Sequence, residues 1–419
     1  MTDNQVQTIK LPELVLPAGD LEKLYTALTF GADAVYAGGH NYSLRAYAGN
    51  LNRSDLQAGV AEAHHRGKRV YVTVNIFAHN QDLTDLPSYL EELEQLRVDG
   101  LIISDPGIIR MAHRYAPSIP ITISTQANVT NYESAAFYRD LGARRIVAAR
   151  ELSLEEIRMI KERAGIEIEM FVHGAMCMSY SGRCLLSSFM TGRSANRGKC
   201  AHPCRYQYAL LEEKRPGEYY PVHEDQRGTY ILNSRDLCLL EHLPRLVEAG
   251  VDAFKIEGRM KSPLYLAIVA RVYREALDAY KQGSFDDPAQ LEKWMDQLRA
   301  VATRPFTAGF LDGADLDLQD AANQKNPNRA EFCGVVKGYD AERAWLEVEQ
   351  RANFGPGDPL WLLTPQSGST PVQLIHLYDS DGEEVDRARH PRQRVFIPYS
   401  QPVDIHSILY RLKGNSYEQ

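Results

Sequence analysis

ELVLPAGDLEKLYTALTFGADAVYAGG, residues 13–39, is the stretch whose reading decides the fold. It opens on a short apolar run, ELVLPAG (13–19), and passes through a helical period from Leu21 to Phe30. The glycine of LTFGADAV then stops the helix, and a second apolar run, DAVYAGG (33–39), follows. Strand, amphipathic helix, glycine stop and strand make one βαβ unit.

The unit repeats along the chain. Further β-branched runs are RVYVTVN (69–75), GLIISD (100–105), ITISTQAN (121–128), RIVAAREL (145–152), IEIEMFVHG (166–174) and, after a long gap, DAFKIEGR (252–259). Helical periods fall between them at Asp55 to Arg66, Pro87 to Val98, Asn131 to Leu141 and Ser153 to Ala164. Eight βα units within about 270 residues predict an α/β fold, a (β/α)₈ TIM-like barrel. An open doubly wound sheet is the alternative, but no GxGxxG follows the first strand and no P-loop occurs.

The gap between strands seven and eight holds HGAMCMSYSGRCLLSSFMTGRSANRGKCAHPCR (173–205), followed by RYQYALLEE, EYYPVH and GTYILNS, which alternate like short antiparallel strands. Residues 173–237 are therefore expected to form an insertion in one βα loop, on the C-terminal face where barrel enzymes keep their active sites. The strand-end residues Asp20, Gly38, Gln126, Asn128, Glu257 and Arg259 would open onto that face. Leu239 to Ala249 reads as a helix, and Leu264 to Lys281 and Leu291 to Thr303 as the helices that finish a barrel domain spanning 1–303. Residues 304–327 read as a linker, and 328–419 as a small all-β barrel domain, serving either packing and dimerisation or RNA contact.

Composition narrows the function classes. The formal net charge is -8, yet residues 173–205 carry Arg183, Arg193, Arg197, Lys199 and Arg205 with no Asp or Glu. Such a segment is a candidate RNA- or anion-binding surface in a chain too acidic for indiscriminate nucleic-acid binding. No signal-peptide pattern and no transmembrane run appear, so the expected setting is cytoplasmic, with no membrane partner. There thiols stay reduced and clustered cysteines favour metal or chemistry.

Four of the six cysteines, Cys177, Cys184, Cys200 and Cys204, lie in this segment, with Cys238 and Cys333 beyond it. Tight CxxC pairs, the usual zinc signature, are missing, as is CxxxCxxC. Spacing alone leaves an iron–sulfur cluster, zinc and unligated buried thiols open. Cys333, in a strand pattern, reads as a small core residue.

EMFVHGAMCMSYSGRCLLSS (169–188), NRGKCAHPCR (196–205), LNSRDLC (232–238), FKIEGRMK (254–261) and RPFTAGF (304–310) resemble the recurrent blocks of the peptidase U32 family, the collagenase-like proteases. The overall pattern is nearest the branch that hydroxylates tRNA by a prephenate-dependent route. The resemblance implies a [4Fe-4S] cluster on Cys177, Cys184, Cys200 and Cys238, with Cys204 as the alternative ligand. It implies tRNA as substrate, through its anticodon loop, with wobble uridine converted to 5-hydroxyuridine and prephenate as possible co-substrate. A paralogous U32 partner or a homo-oligomer is implied as well.

Lys255, Glu257 and Arg259 alternate with apolar neighbours and are candidates for holding an anionic co-substrate or for acid–base work; otherwise they form a salt-bridge network at the barrel end. His173, at the tip of strand seven, is a candidate proton donor or partner of the cluster, or else a structural histidine. Tyr180 and Phe189 could stack on a flipped base or simply pack. A peptidase is the rival reading, yet no HExxH, GxSxG or paired-aspartate motif occurs, and Cys200 lies too near His202 in sequence to assign a dyad. A noncatalytic cluster-bearing subunit is the third.

Overall fold

The computed structural model describes residues 10–39, 42–43, 50–176, 190–191, 210–211, 219–220, 224–225, 228–229, 235–313 and 329–413. Strands β1 (Glu13–Ala18), β2 (Ala34–Gly38), β3 (Arg69–Val74), β4 (Gly100–Ile103), β5 (Ile121–Ile123), β6 (Arg145–Val147) and β7 (Glu167–Ala175) pair in parallel in chain order. β8 (Asp236–Cys238) runs antiparallel along the end of β7. β9 (Ala253–Ile256) pairs in parallel with both β7 and β1 and closes the eight-stranded ring. β10 (Phe306–Thr307) then extends the sheet beside β8.

Helices α1 (Leu21–Thr29), α2 (Arg53–His65), α3 (Leu86–Leu96), α4 (Pro106–Tyr115), α5 (Tyr132–Asp140) and α6 (Leu154–Ala164) cover the outside, followed by α7 (Leu243–Glu248), α8 (Pro263–Gln282) and α9 (Pro288–Val301). Their ends follow from local chemistry. Asp20 accepts the backbone N–H of Lys23 and so caps α1, and Ser153 and Glu156 form a reciprocal capping box on α6. Gly165 and Gly283 end α6 and α8 at φ of 61° and 72°, a conformation that favours glycine.

Every residue of β1 is buried, since helices cover one face and the barrel interior the other. The interior is polar at its N-terminal end. Arg145 bridges Glu13 at 2.7 Å and Glu169 at 3.1 Å, and Lys255 pairs with the other oxygen of Glu169 at 2.5 Å. Burial alone would raise the Glu169 carboxyl, but Lys255 and Arg145 hold it below the ordinary carboxylate range. The Lys255 ammonium also lies 4.1 Å from the centre of the Tyr36 ring.

The C-terminal domain is an antiparallel sheet of six strands: β11 (Ala330–Asp340), β12 (Trp345–Gln350), β13 (Pro359–Thr364), β14 (Gly368–Gln373), β15 (Arg394–Pro398) and β16 (Ile408–Leu412). Their order is β14-β13-β16-β11-β12-β15, the antiparallel all-β domain that the turn-separated alternation predicts. Cys333 is fully buried in its core, where burial pushes the thiol up to about 12.

This sheet docks on the barrel beside the first turn of α1. Glu22 accepts from Arg351 at 2.5 Å and Lys337 at 3.2 Å, and the His406 ring lies 5.2 Å from Tyr25. Val335, Leu363, Ile408 and Tyr410 join the barrel's own apolar core.

The structure departs from the sequence-based expectation in several places. α4 was not anticipated, because its opening Pro-Gly reads as a turn although proline suits a first helical turn. Residues 239–249 divide into a 3₁₀ turn, Leu240–His242, and the short α7. Phe306–Thr307, read as linker, is a strand.

Candidate functional site

The C-terminal mouth of the barrel has a hydrogen-bonded polar floor. The Arg259 guanidinium, 3% exposed, donates to Ser43 Oγ at 2.9 Å and to Asn50 Oδ1 at 2.7 Å. Ser43 lies 3.0 Å from Thr73 Oγ1, which donates to the Ala37 carbonyl at 3.2 Å. Across the mouth, Asn75 donates to Ser124 Oγ and Gln126 Oε1, while Ser104 donates to the Asn75 carbonyl. Gly38 makes room for this arrangement, because a Cβ there would fall 2.1 Å from Arg259 Nη2. A buried guanidinium that donates to a hydroxyl and an amide at this end of the barrel is chemistry suited to a small anion.

The base of the insertion lies at one side of this mouth. A register shift between β7 and β9 sets His173 opposite Ile256, so the histidine packs against Tyr265, Tyr273 and Phe306. Burial pushes its pKa down to about 3, which keeps the ring neutral and unsuited to donating a proton as an imidazolium near neutral pH. Glu257 follows β9, its backbone N–H donating to the His173 carbonyl at 2.8 Å. Gly174, at φ 110°, permits this approach, because a Cβ would lie 2.4 Å from the Glu257 carbonyl oxygen.

Cys238 pairs with His173 across β8 and β7. Its Sγ lies 3.9 Å from the Tyr273 hydroxyl and also takes part in a hydrogen bond with the backbone of Leu240. Burial pushes the thiol up to about 11, so the unligated side chain is protonated. Its soft sulfur, with polar groups at hand, is compatible with a thiolate that loses its proton to a metal, although among the described residues no three metal-ligating side chains come together. The helix expected from Leu239, directly after Cys238, begins instead as a 3₁₀ turn that follows the end of a strand.

The remaining sequence-derived candidates divide by location. Lys255 lies in the ion network at the N-terminal end of the interior, away from the mouth where a co-substrate would enter. Cys177, Cys184, Cys200 and Cys204, the cations Arg183, Arg193, Arg197, Lys199 and Arg205, and the aromatics Tyr180 and Phe189 lie outside the described residues. Ala175, opposite Asp236, ends β7 two residues before Cys177, so the insertion leaves and rejoins the barrel at one place.

Glu151 was not singled out in the sequence. It follows β6, keeps one buried carboxylate oxygen without a hydrogen-bond partner, and is raised by burial above the ordinary carboxylate range. Asn128, at φ 54°, likewise holds a buried side-chain oxygen without a partner. Among the described residues no serine or cysteine side chain is hydrogen-bonded to a histidine, the contact a hydrolytic nucleophile needs. No described helix is long and apolar enough to cross a membrane.

Comparison with known proteins places these features in a family. A tRNA hydroxylation protein P1 of Bacillus subtilis (strain 168) is 39% identical over 387 residues, 92% of this chain and 91% of the relative. A tRNA hydroxylation protein P of Escherichia coli (strain K12) is 37% identical, covering 95% of this chain and 96% of its own length. A protein named collagenase from Porphyromonas gingivalis (strain ATCC BAA-308 / W83) is 31% identical over 95% of this chain and 97% of its own. The model of peptidase family U32 matches residues 19–320, and that of the peptidase family U32 C-terminal domain matches residues 328–409. The chain belongs to peptidase family U32.

Proposed function

We propose that this chain is an enzyme of tRNA modification that hydroxylates a uridine in the anticodon loop. The observation that carries this reading is the similarity to tRNA hydroxylation proteins across more than nine-tenths of both chains. The finer reading is conversion of wobble uridine to 5-hydroxyuridine in the cytoplasm, with prephenate as co-substrate. A wobble base is single-stranded and turns into a pocket without breaking a duplex.

In this reading the barrel mouth is where the small anion and the base meet. Arg259, fixed by Ser43 and Asn50, contributes positive charge for a carboxylate. Asn75, Ser124 and Gln126 offer amide and hydroxyl groups suited to the polar edge of a base. Glu257, at the end of β9, is the candidate for proton transfer there. Arg183, Arg193, Arg197, Lys199 and Arg205 are proposed to neutralise tRNA phosphates. Cys177, Cys184, Cys200 and Cys238 are proposed to hold a [4Fe-4S] cluster, Cys204 being the alternative ligand; when bound, it supplies one-electron chemistry. The working unit is proposed to be a homo-oligomer or a pair with a U32 paralogue.

Nucleoside mass spectrometry of tRNA from cells lacking the chain tests the reading; 5-hydroxyuridine and its derivatives disappear if it holds. The similarity to a protein named collagenase supports peptidase activity as the second reading. Cleavage of gelatin by the purified chain, abolished by a single substitution at the mouth, is the result that would favour it.

A further inference from the structure

A cleft of about 930 Å³ runs along the seam between the barrel and the C-terminal domain, away from the mouth. One wall is made by α8 and α9, the other by β13, the turn before β14 and the end of β16. Trp361 and Tyr410 stand directly opposite each other across β13 and β16, and both line it. The half-buried Trp361 ring gives the cleft an aromatic face, backed by the buried Tyr410, whose hydroxyl donates to Ser369 Oγ at 2.9 Å.

Charge distinguishes this cleft from an ordinary domain seam. Arg271, Lys293, Arg329 and Lys413 line it, against two carboxylates, Glu292 and Asp296. Both carboxylates are engaged by Arg299, at 2.6 Å and 3.1 Å. Arg271 is held by Glu275, and Lys413 by Glu331 at 3.3 Å. Lys293 and Arg329 make no ion pair among the described residues. In a chain of formal net charge -8, two uncompensated cations beside an aromatic wall match a ligand that is both anionic and planar.

From these features we infer that the seam cleft binds a short stretch of single-stranded or looped RNA, with Trp361 stacking on a base and Lys293 and Arg329 contacting phosphates. The inference rests on the tRNA reading and gives the C-terminal domain a part in it. Geometry links the cleft to the mouth. α8 begins at Pro263, four residues after Arg259, and Arg271 lies eight residues along it, or about 12 Å at 1.5 Å per residue. One rigid helix thus spaces the two contacts. A nucleic acid fits better here than on the stacked pair Trp345 and Tyr378 elsewhere in the same domain. That pair adjoins the acidic run DSDGEEVD (379–386), which repels phosphate.

Fluorescence anisotropy with labelled bulk tRNA and the full-length chain tests the assignment. The charge-reversed double variant K293E/R329E is expected to bind about tenfold or more weakly, with a log–log salt slope reduced by about one to two. Trp361→Ala is expected to weaken binding by about tenfold with an unchanged slope, because it removes stacking rather than charge. Both charge changes are on the cleft surface, and an unaltered melting temperature shows that the fold is kept. If the wild type binds tRNA and K293E/R329E binds equally well with the same slope, the cleft assignment is overturned while the tRNA reading stands. If the wild type itself fails to bind tRNA, the tRNA reading fails. A variant that loses affinity for a polyglutamate peptide but keeps it for tRNA makes the cleft a protein-docking site and also overturns the assignment.

Discussion

Cys238 Sγ lies 3.9 Å from the hydroxyl oxygen of Tyr273, and that hydroxyl donates its one proton to the Val172 carbonyl 2.9 Å away. With that proton on the carbonyl, the neutral thiol can serve as the donor to tyrosine. Val172 also accepts the Leu239 backbone N–H at 2.8 Å, so the tyrosine proton is free to turn toward a thiolate without leaving that carbonyl unsatisfied.

If Cys238 is a cluster ligand, Tyr273→Phe removes a hydrogen bond to coordinated sulfur. The iron content of the anaerobically reconstituted chain should stay the same while the reduction potential moves to a more negative value, as read by a spectroelectrochemical titration. An unchanged potential places Cys238 outside the ligand set. Iron analysis of Cys238→Ala and Cys204→Ala then identifies the fourth ligand, since the ligand's variant loses iron and the other keeps it.

Glu169→Gln should destabilise the fold by about 3–5 kcal/mol, because Lys255 and Arg145 would remain buried without their shared carboxylate. Urea unfolding followed by circular dichroism measures this. A loss below about 1 kcal/mol would mean that the network contributes little.

Gly38→Ala tests the mouth. The added methyl meets Arg259 Nη2 and Ser43 Oγ, so the guanidinium has to move. tRNA hydroxylation should fall about tenfold or more, with the melting temperature lowered by only a few degrees. Full activity in this variant would remove Arg259 from the site.

The seam between domains should weaken in acid through His406. Burial first, and then Lys337 and Arg66 against Glu22 and Glu62, push its pKa from 6.5 down to about 4, with the Tyr25 ring against it. The folded value is the lower one, so its stabilising contribution is complete above about pH 6.5 and is lost as pH falls toward 4. The slope is at most about 1.4 kcal/mol per pH unit, and less because the ring is only partly buried. His406→Gln should flatten the acid limb of the stability curve over that range; an unaltered limb contradicts the assignment.

Particular residues show why some of this was legible in the sequence and some was not. The barrel was readable because each βα unit carries its own signals, as with Asp20 before α1 and Gly165 after α6. α4 was hidden because Pro106 and Gly107 read as a turn although proline suits the first turn of a helix. Phe306–Thr307 is too short for periodicity to register, and its partner Asp236–Leu237 is far away in sequence.

The site was legible by strand end but not by depth or by face. Arg259 lies past the end of β9 and reaches the floor, whereas Lys255, four residues earlier, belongs to the opposite end of the same barrel. His173 was placed correctly along β7, but the register shift that sets its packing leaves no mark in the sequence. Ser43, Asn50, Asn75 and Ser124 come from separate segments, and only closure of the ring brings them to one floor.

The most direct measurement is nucleoside mass spectrometry of total tRNA from a strain lacking this chain and any paralogue, complemented with wild type or Cys177→Ala. For a cysteine-dependent tRNA hydroxylase, 5-hydroxyuridine and its derivatives are absent from the deletion strain, return with wild type and do not return with Cys177→Ala. Persistence of the modified nucleosides in the deletion strain contradicts the proposed function, and their restoration by Cys177→Ala contradicts the role given to the cysteines.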